Sequence, residues 1–251
     1  MKNENRKFFQ KTYPSFWLNN SAKLAADAMH YHYQEITLDQ LQCYDGCSLL
    51  ECGCASGDLL QRLQKRFMDI KMVGVDLGNY ADTWHERFGD TVSFLSSDVS
   101  ELPLRSNQFD RILCSSVLWY SPQPKSAIRE MVRVLKPGGR LVFDVRNPWH
   151  ITNVLTSFSL RTRRMTGHKT IRYSYFTPGS LDDFLNTLPI DFQITGYFVL
   201  LPTRLPLLGT RLGNWARLSP KLSFASGEGS AQKFAQKLLV WGEKRVGENH
   251  L

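Results

Sequence analysis

The sequence predicts an α/β protein built on a mostly parallel sheet with helices on both faces. Three observations carry that expectation. From residue 46 to residue 146, short apolar runs alternate with amphipathic segments, the pattern of strand–helix–strand units with right-handed crossovers. Three acids, Glu51, Asp76 and Asp98, stand at or just after the ends of apolar runs, and parallel order brings such ends to one sheet edge, where ligands bind. Breaks such as Gly53–Gly57 and Lys136-Pro137-Gly138-Gly139 separate the runs, as turns between regular elements require.

Composition narrows the class. The chain has 251 residues, 42% of them hydrophobic, enough for a sizeable core. No apolar run reaches the length of a membrane span, and Met1–Lys7 has no apolar stretch behind it, so a cytoplasmic location is expected. The five cysteines, Cys43, Cys47, Cys52, Cys54 and Cys114, are odd in number and read as reduced thiols. They form no CxxC pair and no histidine follows closely, so no metal site is expected. The net charge is +8; residues 1–145 hold 17 basic and 17 acidic side chains, and residues 146–251 hold 14 and 6. The excess is therefore C-terminal. It reads either as a solvated surface or as a face for an acidic substrate, an anionic membrane or nucleic acid.

The elements follow in order. Residues 1–20 are basic and aromatic and precede a helix capped by Ser21 and running through Leu24, Ala28 and Tyr31. Ser48–Cys52 is a strand and Asp58–Met68 a helix. Ile70–Asp76 is the second strand, followed by a short helix at Ala81–Phe88. Thr91–Leu95 and Phe109–Ser115 are the third and fourth strands. Lys125–Leu135 is a helix with Ile128, Met131, Val132 and Leu135 on one face, and Arg140–Val145 is the fifth strand. Residues 147–175 show no clean period. Thr177-Pro178 opens a helix in the order of cap, then proline. Asp191–Leu201 is a strand, Ser223–Ser230 a loop, and Phe234–Lys244 a final strand. The organisation is a single domain in three parts: an N-terminal helical lid over 1–45, the core over 46–146, and over 147–251 a covering segment with the last two strands of the same sheet.

The strand-end acids describe a ligand. Asp76 lies 19 positions after Gly57, the spacing at which an acid accepts both hydroxyls of a ribose. An acid after the third strand, Asp98, suits an adenine amine. A dinucleotide turn needs G-x-G-x-x-G, whereas here Ala55 replaces the second glycine and Asp58 the third. An acid facing a pyrophosphate is repulsive, and no Gly-Lys-Ser/Thr follows to make a P-loop. A cofactor with adenosine but no phosphates fits.

At this point the sequence resembles the class I S-adenosylmethionine-dependent methyltransferases. The matching stretches are Leu49–Gly57, Val73-Gly74-Val75-Asp76-Leu77, Asp98-Val99, Phe109–Tyr120 and Leu135-Lys136-Pro137-Gly138-Gly139, in the family's order over about residues 45–146. The resemblance implies a Rossmann-like sheet of seven strands with the last antiparallel, and S-adenosylmethionine as cofactor with S-adenosylhomocysteine as product. It implies that Glu51 and the backbone of Gly53, Ala55 and Gly57 surround the methionine part. Asp76 then takes the ribose, Leu77 packs on the adenine, Asp98 and Val99 meet the adenine edge, and the Cys114-Ser115 backbone lies near the cofactor amine. The family usually has glycine in place of Ala55, and a Cβ there costs about 1 kcal/mol if the turn needs positive φ.

The acceptor is less legible. Catalysis by alignment needs little more than a nucleophile in line with the methyl group. His150 is the first candidate base, against the reading of a loop histidine without a role, and Tyr120 is the second candidate. Trp119, Tyr120 and Trp149 are expected to wall the acceptor pocket, with Tyr13 and Trp17 as a lid. A small-molecule or biosynthetic acceptor at O, N or C is expected. Cys114-Ser115-Ser116-Val117 supplies no amide of the Asn-Pro-Pro-Tyr type, which argues against methylation of nucleic-acid bases. The arginines and the Leu-Pro-Leu-Leu run of 147–234 leave open a lipid-linked or RNA acceptor and a peripheral contact with an anionic membrane. A cofactor-binding protein without catalysis is the remaining alternative.

Overall fold

A computed structural model of the chain describes residues 24–165, 172–199, 224–227 and 229–247. The expected lid residues Tyr13 and Trp17 lie outside the described residues, as does the Leu-Pro-rich stretch 200–223.

The order is α1 (Leu24–Leu41), β1 (Ser48–Cys52), α2 (Asp58–Arg66), β2 (Lys71–Asp76), α3 (Ala81–Phe88), β3 (Ser93–Ser96), β4 (Phe109–Cys114), α4 (Pro124–Val134), β5 (Leu135–Arg146), α5 (Ile151–Met165), α6 (Pro178–Leu185), β6 (Ile190–Val199), β7 (Phe224–Gly227), a 3₁₀ turn (Gly229–Phe234) and β8 (Lys237–Lys244). The strands lie side by side as β3-β2-β1-β4-β5-β8-β6-β7. β1 to β5 are mutually parallel, and β8 runs antiparallel between β5 and β6. The seven-stranded Rossmann-like sheet with its last long strand reversed is therefore present, and β7 adds a four-residue strand at the edge of β6.

Two cores cover the two faces. One joins Leu50, Cys52, Ile112 and Phe143 to α4 and α6; the other joins Leu49, Leu113 and Val142 to α1, α2 and α3. Alternate residues of one strand thus feed opposite cores, as period-two geometry demands. The amphipathic helices meet them with the residues the periodicity selects: Leu59, Leu60 and Leu63 from α2, and Ile128, Met131 and Val132 from α4. α6 opens on a reciprocal pair in which Thr177 Oγ1 accepts from the Ser180 N–H at 3.1 Å, with Pro178 beginning the helix. That arrangement satisfies two donors at the helix start.

Four stretches differ from the sequence expectation. β5 begins at Leu135, so the expected break Lys136-Pro137-Gly138-Gly139 lies within the strand, where it is taken up by a register shift against β4 between Phe109 and Arg111. β7 falls inside the expected loop 223–230, because four small and mixed residues show no period of their own and are organised by the edge of β6. α5 falls inside the segment without a clean period. Its apolar residues do recur at helical spacing, but Ile151, Val154, Leu155, Phe158 and Met165 are exposed, so the stripe is not a core face. β8 begins at Lys237 rather than at Phe234, because the 3₁₀ turn runs through Phe234 and leaves its ring exposed.

Candidate functional site

The first half of the site is the turn that leaves β1. Gly53 and Gly57 adopt φ of 77° and 84°, a region open to glycine at little cost. An ideal Cβ on Gly53 would lie 2.2 Å from Val117 Cγ2, and one on Gly57 2.7 Å from the Phe88 ring, so side chains are excluded on steric grounds too. Ala55 sits at φ 45°, which an L-residue adopts at a cost of about 1–2 kcal/mol. Two contacts hold it there: its N–H donates to Asp76 Oδ2 at 2.9 Å, and its carbonyl accepts from Trp84 Nε1 at 2.7 Å. Trp84 in turn stacks on Phe94 at 4.6 Å. Arg87 closes the outside of the turn by donating to the Ser56 carbonyl at 2.9 Å and pairing with Asp58 at 2.7 Å.

Asp76 does more than the sequence suggested. Its Oδ1 accepts the Gly78 N–H at 2.7 Å while Oδ2 holds Ala55, so this carboxylate clasps the ends of β1 and β2 together. The Leu77 N–H acts on the same carboxylate, which still keeps acceptor capacity for a ligand hydroxyl. Asp98 Oδ1 accepts from the Ser100 N–H and hydroxyl at 2.9 and 2.8 Å. Leu77 and Ser115 are half-buried, and Val99 is buried.

Glu51 decides which ligand fits. It is buried, and its Oε2 has no hydrogen-bond partner among the described residues. Burial, and then the charges of Asp58 and Asp76, push its pKa well above the ordinary carboxylate value, with the Leu60 N–H offsetting part of the rise. An orphaned, buried carboxylate costs free energy unless a donor or cation meets it. The Tyr80 hydroxyl and Ser115 Oγ are likewise buried without partners among the described residues, and the Asp76 charge acts on Tyr80. A ligand with a cationic amine and neutral hydroxyls satisfies these groups; a pyrophosphate facing three carboxylates does not. The residues present fit S-adenosylmethionine: Glu51 for the cationic methionine end, Asp76 for the ribose, and the glycine cradle for close backbone approach.

The second half lies over β4 and β5. Ser116 adopts φ 64°, held by its N–H donating to Asp144 Oδ1. Asp144, fully buried near the end of β5, also accepts from Tyr33 Oη at 2.8 Å and pairs with Lys237 Nζ at 3.0 Å. Lys237 Nζ donates onward to Ser116 Oγ at 3.0 Å and lies over the rings of Tyr33 (4.1 Å) and Trp119 (4.8 Å). Burial lowers the Lys237 pKa, and Asp144 opposes that shift. A strap over residues 172–176 crosses the strand ends: the Ser174 N–H donates to the Trp119 carbonyl at 2.8 Å and the Phe176 N–H to the Arg146 carbonyl at 3.0 Å.

The expected acceptor residues scatter. Trp119 is buried and Tyr120 stands 5.8 Å from it, in a row continued by Tyr173 at 5.5 Å. Trp149 is 55% exposed. His150 immediately precedes α5: its carbonyl accepts the Asn153 and Val154 N–H groups, and its Nδ1 is hydrogen-bonded to Thr152 Oγ1 at 2.8 Å. Its polar contacts are thus local to the helix start, and burial lowers its pKa. Sequence reasoning missed Tyr33, Trp84, Arg87, Asp144, Arg146 and Lys237. Only Asp144 left a signal, an acid inside the apolar run Leu141-Val142-Phe143-Asp144-Val145.

Comparisons with known proteins point the same way. Residues 50–143 match the family described as "Methyltransferase domain". The chain is 30% identical over 146 residues to the sterol 24-C-methyltransferase erg6 of Aspergillus fumigatus, covering 56% of this chain and 37% of that protein. It is 26% identical over 176 residues to the demethylmenaquinone methyltransferase of Lactiplantibacillus plantarum, covering 63% and 71%. The chain thus spans well under two thirds of the fungal protein. Among solved structures, a S-adenosylmethionine-dependent methyltransferase of Thermotoga maritima shares the fold with a TM-score of 0.58 at 19% identity, covering 86% of this chain and 91% of that one.

Proposed function

We propose that this chain, which carries a class I S-adenosylmethionine-dependent methyltransferase domain, moves the cofactor's methyl group to O, N or C of a small-molecule acceptor. One observation carries the reading: the buried Glu51 carboxylate, whose Oε2 has no partner among the described residues, in a glycine-lined turn beside Asp76. When bound, S-adenosylmethionine supplies an electrophilic sulfonium methyl. The protein's own part is placement. Glu51 draws the cationic methionine end to β1, Asp76 fixes the ribose through its remaining acceptor capacity, and Asp98 and Val99 frame the adenine. Ser116, held at positive φ by Asp144, and the Trp119–Tyr120 wall orient the acceptor over β4 and β5 and exclude water, which is where most of the rate gain of an in-line displacement originates. Tyr120 and His150 are the titratable groups we assign to acceptor handling, Tyr120 from within the wall and His150 from the start of α5; Trp149 borders the same entrance.

The melting temperature tests the cofactor assignment. S-adenosylhomocysteine at about 100 times its Kd is expected to stabilise the protein by about 2.7 kcal/mol, a rise of several degrees for a chain of this size. In Asp76→Ala, which loses both the ribose acceptor and the Ala55 clasp, the shift relative to that variant's own baseline is expected to vanish. An undiminished shift would place the cofactor elsewhere.

A specific observation favours a second reading, acceptor delivery from a lipid surface. α5 presents Ile151, Val154, Leu155 and Phe158 outward beside the strand ends, in the part of the chain that holds the basic excess. An apolar stripe flanked by basic residues suits a membrane interface. Flotation with vesicles of about one-third anionic lipid is expected to recover the protein at low salt, and Phe158→Ser with Leu155→Ser to abolish recovery. Equal flotation of the variant would retire this reading.

A further inference from the structure

The two halves of the site carry opposite charge. The cofactor seat holds Glu51, Asp58 and Asp76, of which only Asp58 has a cationic partner among the described residues. Across the end of β4, the sign reverses. Lys237 is matched by Asp144, but Arg146, the last residue of β5, forms no ion pair among the described residues. Its guanidinium carbon lies 4.7 Å from the centre of the Trp119 ring and 4.9 Å from that of Tyr173. Lys237 Nζ also lies 4.8 Å from the Trp119 ring centre, and the Arg146 charge acts on it. Asp144, Lys237 and Arg146 thus leave one positive charge uncompensated against a buried indole. The Trp119 Nε1–H adds a buried donor without an acceptor among the described residues. Unmatched donors and charge of this kind are costly in a half-buried place.

We propose that Arg146, with Trp119, is an oxyanion-binding subsite for the acceptor, and that the acceptor carries a carboxylate or phosphate on an apolar or aromatic body. The proposal rests on the methyltransferase reading for where the acceptor lies. The planar guanidinium offers paired N–H donors that match the two oxygens of either group. The aromatic faces on Arg146 hold that fork in one orientation, and the backbone is pinned from the strap by the Phe176 N–H. The row Trp119–Tyr120–Tyr173, with ring centres 5.8 and 5.5 Å apart, supplies the surface for the apolar body. The arrangement separates tasks: the acidic seat draws a cationic cofactor, and the basic seat an anionic acceptor, so each ligand is disfavoured in the other's place.

The test uses the full chain saturated with S-adenosylhomocysteine and reads the further melting shift with benzoate, phenyl phosphate and benzamide. Benzoate or phenyl phosphate is expected to bind at least about tenfold more tightly than neutral benzamide, as charge-assisted pairing implies, and the stronger of the two identifies the oxyanion. Arg146→Gln is expected to reduce that preference to within about twofold, with the S-adenosylhomocysteine shift retained; Arg146→Lys, which keeps the charge without the fork, is expected to fall between. A cofactor shift with no preference for the anions over benzamide, or a preference unchanged in Arg146→Gln, overturns the subsite and leaves the methyltransferase reading standing. Absence of the cofactor shift in the unaltered chain overturns that reading instead. If Arg146→Gln fails to fold, the preference of the unaltered chain and its reduction in Arg146→Lys decide, an unchanged preference in Arg146→Lys overturning the subsite.

Discussion

Replacing Asp144 by alanine is expected to cost about 3–5 kcal/mol of stability, the usual penalty for removing one member of a buried ion pair. For a chain of this size that lowers the melting temperature by about 10 °C or more. The reason is the number of groups orphaned at once. Asp144 is completely buried and accepts from Tyr33, the Ser116 N–H and Lys237. Without it, Lys237 sits over Tyr33 and Trp119 as an unmatched cation near Arg146, and Ser116 loses the bond that holds its positive φ. Asp144→Ala combined with Lys237→Met is expected to recover part of the loss, because an apolar pair carries no buried charge. Recovery stays incomplete, since the Asp144 bonds to the Tyr33 hydroxyl and the Ser116 N–H are not replaced. Thermal denaturation of the two single variants and the double variant gives the coupling directly, and additive losses would show that the pair does not act as a unit.

Glu51→Gln is expected to stabilise the cofactor-free protein while weakening cofactor binding by about tenfold or more, as loss of a charge-assisted bond of about 1.5–3 kcal/mol implies. The two effects share one cause. Folding raises the Glu51 pKa, through burial first and then Asp58 and Asp76, so the folded state prefers the protonated acid. Its contribution to stability is full below the unfolded value of about 4.3 and is lost as pH rises through the higher folded value. Above the unfolded value the buried acid must either ionise or hold its proton against solvent, each at a cost to folding, and a neutral amide removes that penalty. A cationic methionine end restores the balance in the unaltered protein and gains nothing comparable from glutamine. Melting curves across about pH 4–8, spanning the unfolded value and the range above it, check this for both forms with and without S-adenosylhomocysteine. A Glu51→Gln variant less stable than the parent at neutral pH would show that Glu51 is matched by a group in the cofactor-free protein.

How far the sequence reached follows a physical line. The β1–α2–β2 unit was legible almost to the residue, because its signals are local: an apolar run ending at Glu51, two glycines forced to positive φ, and an amphipathic helix with Leu59, Leu60 and Leu63 inward. The same holds for α6, where Thr177 and Pro178 announce the helix start. α5 was not legible, although Ile151, Val154, Leu155 and Phe158 recur at helical spacing. Its apolar residues are exposed alongside Thr152, Ser159 and Arg161, and Asn153 is buried, so polar and apolar residues do not sort onto opposite faces as in an ordinary surface helix. β7 was illegible because its pairing partner, not its own four residues, makes it a strand.

The site divides along the same line. The sequence by itself determined the fold class and the cofactor seat, since residues 51 to 98 form consecutive strand ends that parallel order must bring to one edge. Only the tertiary structure assembled the cluster over β4 and β5 to which we assign the acceptor. Tyr33 comes from α1, Asp144 and Arg146 from β5, Lys237 from β8 and Tyr173 from the strap, and no spacing between such distant positions encodes their meeting. It took the antiparallel insertion of β8 beside β5, pairing Arg146 with Lys237 in register, to place a lysine and an arginine on one buried indole. The cofactor is thus written in local turns, whose geometry each short segment carries alone. The proposed acceptor face is written in long-range packing, which exists only once the sheet has closed.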